Sequence, residues 1–287
     1  MTAVLERIRS AGFPVTEVLG AGMEGTVAAL DEERVVKLWD RRDRTQVERL
    51  RIFYDAVEAS GFALAVPRIL QVAEVAGSVL TVQVRLTGKP IARAEAVVEV
   101  LAALAEVPVH PDLAVLPVPD GEPPFDPVVP FALTLADLVE RRAGLLEGRI
   151  DAGTVAALAD DLRRLEPAEP RLVHGDLGPT NVLAVDGRPA ALLDFGYLST
   201  VGDPAFDAAV AAALSDMFGP GAAAATARMD RLTTARFGYG EERLALYRAA
   251  YGLITASCLT ASVESRHFCW CLAWLRPGHG PSGTPRS

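Results

Sequence analysis

The pattern of apolar and polar positions changes character near residue 88. Before it, short β-rich runs are separated by turn residues: 14–19, then a glycine turn over 20–25, then 26–30, a polar tetrad at 31–34, and 35–39. Strands at this spacing predict an antiparallel meander. Over 44–60, Val47, Leu50, Phe53, Tyr54 and Val57 recur at three- and four-residue steps, which predicts a helix. Runs at 66–75 and 78–86 are β-rich again and are joined by Ala76-Gly77.

Thr87-Gly88-Lys89-Pro90 interrupts the pattern and marks a boundary. Helical periodicity follows at 92–107, 133–144, 154–165, 204–218, 222–234 and 241–263, with a Pro-rich wrap at 107–130. Two β-rich pieces, 171–173 and 182–185 turning through Asp186-Gly187 into 190–193, flank a loop. The expected organisation is a first lobe at 1–87, a second at 88–277 and a frayed Gly/Pro/Ser-rich tail at 278–287.

Composition narrows the class. Half of the 287 residues are apolar and 23% are charged, which excludes a disordered chain. Aromatics are 6%, so Ala, Val and Leu must fill the core. A net charge of −9 argues against nucleic acid as a partner, since basic residues must neutralise phosphates. Three cysteines, an odd number, fit a reducing compartment. The charged N-terminus and the lack of an apolar run of ~18 residues predict a cytoplasmic protein with no membrane partner. Cys269 and Cys271, with His267 nearby, lack a fourth metal ligand and read as core cysteines; His110 and His279 carry no assignment.

Three features carry chemistry. Gly20-Ala21-Gly22-Met23-Glu24-Gly25 is a G-x-G-x-x-G turn, whose glycines let backbone approach phosphate oxygens. It is followed by a strand rather than a helix, so a dinucleotide fold is rejected and a glycine-rich hairpin over a nucleotide fits better. Lys37 lies among apolar residues on an expected strand. It is either an edge lysine facing solvent or a paired interior cation. The chain has only two lysines against 26 arginines, so a lysine kept here favours a compact point charge such as phosphates require. The third feature is the strongest. His174-Gly175-Asp176-Leu177-Gly178-Pro179-Thr180-Asn181 precedes Leu193-Asp194-Phe195-Gly196, giving H-x-D-x-x-x-x-N and D-F-G in order. Phosphoryl transfer needs a carboxylate at the attacking hydroxyl and oxygen ligands for Mg²⁺.

On these motifs the chain resembles the aminoglycoside phosphotransferase family, small-molecule kinases with a protein-kinase-like fold, over residues 15–207. The resemblance implies a bilobal α+β fold: an N-lobe of antiparallel sheet plus one helix, and a mainly helical C-lobe. It implies that Gly20, Gly22 and Gly25 cover ATP and that Lys37 meets its α- and β-phosphates. Lys37 would pair with a helix glutamate, best assigned to Glu48, with Glu58 as the competitor. Backbone at Gln83, Val84, Arg85 and Leu86 would meet the purine. Asp176 becomes the catalytic base, His174 supports its loop, and Asn181 and Asp194 hold Mg²⁺.

The chain departs from protein kinases in its catalytic loop and after D-F-G. Gly175 replaces the arginine before the catalytic aspartate, and Gly178 replaces the lysine after it. Gly202-Asp203-Pro204-Ala205-Phe206-Asp207 follows instead of A-P-E. Asp203 is placed to cap a helix and Asp207 to brace the catalytic loop, or both serve as caps alone. The expected reaction is Mg²⁺-dependent transfer of the ATP γ-phosphate to a hydroxyl of a small molecule, an antibiotic such as an aminoglycoside or an amine-bearing metabolite. A protein kinase and a nucleotide-binding module without turnover are the alternatives. Residues 1–87 carry 11 basic and 12 acidic side chains, and residues 88–287 carry 17 and 25. That asymmetry leans toward a cationic acceptor, with Asp203, Asp216, Asp230, Glu241 and Glu242 as available carboxylates.

Overall fold

The computed structural model describes residues 2–116, 118, 122–146, 148–196, 198–258 and 265–275. The expected tail at 278–287 and His279 lie outside them. Helix α1 (Thr2–Ser10) was not foreseen, although Val4, Leu5 and Ile8 share one of its faces. It packs that face on Ala28, Val36, Leu38, Leu80 and Val82 of a five-stranded antiparallel sheet. The strands are β1 (Val18–Gly22), β2 (Gly25–Ala29), β3 (Arg34–Trp39), β4 (Ile69–Val75) and β5 (Ser78–Val84), ordered β1-β2-β3-β5-β4. The first strand begins later than the pattern at 14–19 suggests. A register shift between Val18 and Gly20 carries Gly20 and Gly22 into the strand itself.

Helix α2 (Arg44–Ala59) covers the other face of the sheet. The side chain of Asp43 accepts from the Gln46 amide and the Gln46 side chain accepts from the Asp43 amide, a capping box that starts the helix. The five apolar positions read from the sequence, Val47, Leu50, Phe53, Tyr54 and Val57, are its buried face. With α1 on one side and α2 on the other, central strand β3 is buried from Val35 to Trp39. Lys37 is therefore an interior lysine and not an edge one.

The chain then crosses at β6 (Lys89–Pro90) and becomes mainly helical: α3 (Ala94–Ala105), α4 (Phe131–Gly144) and α5 (Ala152–Arg163). Next come β7 (Arg171–Val173), β8 (Val182–Val185), β9 (Arg188–Leu192) and β10 (Thr200–Gly202), then α6 (Ala205–Leu214), α7 (Ala222–Phe237), α8 (Glu241–Thr255) and α9 (Arg266–Ala273). Helix α8 ends at Thr255, short of the periodicity at 241–263, of which 259–263 lie outside the described residues; α9 was missed. Strands β6, β8 and β9 form one small sheet, β7 and β10 another. Helix α6 is buried from Ala205 to Ala213 and six of those nine residues are alanine, which lets α7 and α8 approach it closely. This is how an aromatic-poor chain fills its core.

One segment of the N-terminal portion and one just past the boundary are fastened to the β8–β9 hairpin. The Ala65 amide donates to the Ala190 carbonyl (3.0 Å) and the Leu192 amide to the Ala65 carbonyl (2.9 Å). The Ile91 amide donates to the Val182 carbonyl (3.0 Å). Gly88, at φ +145°, passes so close to β8 that a Cβ would lie 2.9 Å from the Leu183 Cβ. Among the described residues no helix is long and apolar enough to cross a membrane.

Candidate active site

The H-G-D loop follows β7 and is built from its backbone outward. Asp207, buried in the first turn of α6, accepts from the His174 amide (2.7 Å) and the Gly175 amide (2.8 Å). It therefore braces the loop from 32 and 33 residues away. Asp203 caps the same helix through the Ala205 amide (2.9 Å). Gly175 sits at φ +85°, and a Cβ there would run into the backbone of Leu198. Glycine is thus a steric requirement of this loop, which explains the missing arginine.

His174 is fully buried. Burial, opposed by its bond to the Leu193 carbonyl, pulls its pKa down to about 4. The neutral ring accepts the Asp176 amide at Nδ1 (3.2 Å), which leaves the proton on Nε2 for the Leu193 carbonyl (2.8 Å). His174 so ties the Asp176 loop to the strand end that carries Asp194. Asn181 does the same locally: its Nδ2 donates to the Asp176 carbonyl (2.9 Å).

Burial raises the Asp176 carboxyl to about 7, opposed by a hydrogen bond from Tyr251 and reinforced by the charges of Asp194 and Glu24. The Tyr251 hydroxyl, on α8, donates to Asp176 Oδ1 at 2.6 Å. No feature of the motif announces Tyr251, which lies 75 residues downstream. Asp194, at φ +53°, presents a half-exposed carboxylate whose Oδ1 is 3.3 Å from Lys37 Nζ. Phe195 turns inward against Phe53 (5.2 Å between ring centroids) and His174 (4.5 Å). Tyr54, fully buried beside the Phe195 backbone, has its phenol pushed well up by burial and by the charges of Asp194 and Glu24.

The partner assigned to Lys37 needs correction. Glu48 points outward and pairs with Arg51 (2.9 Å) and Arg44 (3.9 Å), and Glu58 pairs with Arg68 (3.5 Å). The side of α2 that faces the sheet carries its apolar residues, so neither glutamate reaches Lys37. Glu24, in the glycine turn, takes that place at 3.7 Å and also binds Arg42. A charged residue inside a glycine turn, and the run Arg41-Arg42, were the available signals for this cluster.

Other positions are also accounted for. The turn between β1 and β2 carries Glu24, and Gly25 at φ +152° packs so tightly that a Cβ would meet the Leu38 carbonyl. Gln83 is buried on β5 and donates to Thr81 Oγ1 (2.8 Å). The amides of Val84 and Arg85 are given to the Arg68 carbonyl (3.0 Å) and the Glu33 carbonyl (2.7 Å), so neither serves a purine in this conformation. Of the acidic residues held for a cationic acceptor, Asp203 is engaged by Arg243 and by Tyr247 (2.7 Å) and Asp230 by Arg248 (2.7 Å). Asp216 accepts the Gly221 amide (3.0 Å). Cys258 and Cys271 are buried and Cys269 is exposed; burial pushes the Cys271 thiol up to about 12.

An antiparallel sheet with one helix on the cleft side, joined to a helical body that carries H-G-D and D-F-G loops, is a protein-kinase-like α+β fold. The chain belongs to the phosphotransferase enzyme family, whose model matches residues 3–247. It is similar in fold to a thermostable mutant of the aminoglycoside phosphotransferase APH(4)-Ia in ternary complex with ADP and hygromycin B. The identity is 20%, the match covers 96% of this chain and 99% of that one, and the TM-score is 0.70. The aminoglycoside phosphotransferase APH(3'')-Id from Streptomyces rimosus has 21% identity, 88% and 98% coverage and a TM-score of 0.61. The GDP and kanamycin complex of APH(2")-IIia has 14% identity, 94% and 97% coverage and a TM-score of 0.62. A comparison with curated protein sequences gave no match.

Proposed function

We propose that this phosphotransferase moves the γ-phosphoryl group of ATP to a hydroxyl of a small molecule, between a nucleotide lobe at 1–87 and a catalytic lobe at 88–277. The observation that carries the reading is the 3.3 Å contact of Lys37 with Asp194. It joins the strand beneath the glycine turn to the loop beside Asp176 across 157 residues of chain. The similar structures hold ADP with hygromycin B and GDP with kanamycin, which supports a nucleotide and a small hydroxyl-rich acceptor.

The donor set fits Mg²⁺. Asp194 offers a carboxylate, and Asn181, whose Nδ2 is given to the Asp176 carbonyl, keeps its amide oxygen as an acceptor. When bound, the ion would neutralise charge on the phosphates. Lys37 supplies a compact positive charge to the phosphates. Tyr251 occupies Asp176 Oδ1, so Oδ2 orients the acceptor hydroxyl and takes its proton as the oxygen–phosphorus bond forms and the bond to the β–γ bridging oxygen breaks. Asp207 and His174 hold that carboxylate in place through the loop backbone. With Asp203 and Asp230 already paired, a cationic acceptor would be met chiefly by the exposed carboxylates of the C-terminal portion, such as Glu241 and Glu242.

Asp176→Asn is expected to lower kcat by ~10²–10⁴ with nucleotide affinity unchanged. Near-wild-type turnover in that variant would sink the assignment. An acceptor panel of aminoglycosides, choline and amino alcohols, read by a mass gain of one phosphate, tests the substrate class. Phosphate appearing on protein alone would reject a small-molecule acceptor.

A further inference from the structure

We propose that Arg42 is a second phosphate-binding cation, and that Glu24 is its resident counter-ion, displaced when the nucleotide's phosphates enter. The inference rests on the nucleotide reading of the cleft and names part of its phosphate site.

Two cations are buried under the glycine turn. The side chains of Lys37 and Arg42 are 10% and 9% exposed. Both lie over the Trp39 ring, Lys37 Nζ at 4.1 Å and the Arg42 guanidinium carbon at 5.6 Å from its centroid. Arg42 reaches the C-terminal portion as well: a Cβ on Gly196 would run into its guanidinium, so the fork is seated directly on the glycine of D-F-G. Buried charges persist only where an anion answers them. The acidic residues of α2 flanking this region turn away, Glu48 to Arg44 and Arg51 and Glu58 to Arg68. The answering anions are Asp194, on Lys37, and Glu24, shared by both cations.

Glu24 is the one of these two that sits on the glycine turn. Its carboxylate receives Arg42 Nε at 3.0 Å and a second guanidinium nitrogen besides, and lies 3.7 Å from Lys37 Nζ. An anionic oxygen group held between a guanidinium fork and an ammonium, beneath a glycine turn, meets the requirements of a phosphate. Asp194 is also proposed as a metal ligand. If Mg²⁺ engages it, Lys37 is freed and the pair of cations faces Glu24 alone. A triphosphate carries more charge than one carboxylate and offers oxygens that the same two guanidinium nitrogens can bond. Exchange of Glu24 for phosphate therefore keeps both cations neutralised. The Glu24 carbonyl accepts from the Asp40 amide (3.0 Å) and Gly25 is pinned against the Leu38 carbonyl, so the exchange is a rotation of the Glu24 side chain on a held backbone.

Calorimetry with ATP and with adenosine tests this on the whole protein. Arg42→Met is expected to weaken ATP by ~10–100-fold, the loss of charge-assisted hydrogen bonds, and to leave adenosine unchanged. Glu24→Gln is expected to tighten ATP several-fold, because the competing charge is gone. Lys37→Met serves as the control on the underlying reading. If Lys37→Met loses ATP and Arg42→Met binds it as wild type does, the role of Arg42 is overturned and the nucleotide site stands. If Lys37→Met also binds ATP normally, the nucleotide site itself is overturned. Weaker ATP binding by Glu24→Gln overturns the counter-ion exchange. Should Arg42→Met lose adenosine as well, Arg42→Lys decides: ATP weakened with adenosine retained supports the fork, and both retained at wild-type strength overturns it.

Discussion

Tyr251 leaves Asp176 a single carboxylate oxygen for an acceptor, and it also sets the acidity of the group. Donation from the phenol favours the ionised carboxylate, against the burial that lifts Asp176 to about 7. Removing it in Tyr251→Phe raises that value further. The proposed base works only when deprotonated, so the acid limb of the kcat/KM profile is expected to move up by on the order of one pH unit. Turnover at pH 6.5 falls and turnover near pH 9 recovers; a limb that stays in place contradicts the assignment. Asp176, Asn181 and Asp194 were legible as candidates because a rare spacing and a strand end mark them. Tyr251 was not, because its position is fixed by the packing of α8 on α6, and nothing in one sequence encodes a contact across 75 residues. Gly175 is intermediate: its presence was legible, while the Leu198 backbone that demands it was not.

Helix α2 separates the two kinds of information at the scale of an element. Its extent and its five buried residues were readable from period alone, and both agree with the structure. Which turn meets Lys37 depends on the angle at which the helix crosses the sheet, and periodicity does not contain that angle. Glu48→Ala is therefore expected to change the nucleotide KM by less than ~2-fold and stability by under ~1 kcal/mol, as for any exposed pair. A tenfold rise in KM would restore Glu48 as the partner of Lys37. Helix α1 shows the opposite failure. Its apolar face at Val4, Leu5 and Ile8 was present in the sequence and was passed over as a charged N-terminus. Without it, the Val36 and Leu38 face of β3 reads as open to solvent, while Lys37 lies on the opposite face with Trp39.

For the whole molecule, the decisive feature is continuity of the core. Trp39 and the buried face of α2 belong to the same apolar cluster as α4, α6 and α8, linked through Phe53, Tyr54 and Phe195. A single unfolding transition is expected in calorimetry of the nucleotide-free protein, and Mg-ATP at ~100 times its Kd should stabilise it by ~2.7 kcal/mol. Two resolved transitions would mean that the portions unfold apart. The boundary at Gly88 was legible as a breaker, but its tightness against β8 was not. That tightness has a mechanical meaning. Ala65 of the N-terminal portion and Ile91, just past the boundary, are both fastened to the β8–β9 hairpin, whose two ends carry Asn181 and Asp194. If the sheet rocks over the helical body, this hairpin is the fulcrum. Points near an axle travel little and points far from it travel far. The groups proposed for the metal then stay nearly still, and the Glu24 carboxylate, 3.7 Å from a lysine that itself touches Asp194, moves little relative to them.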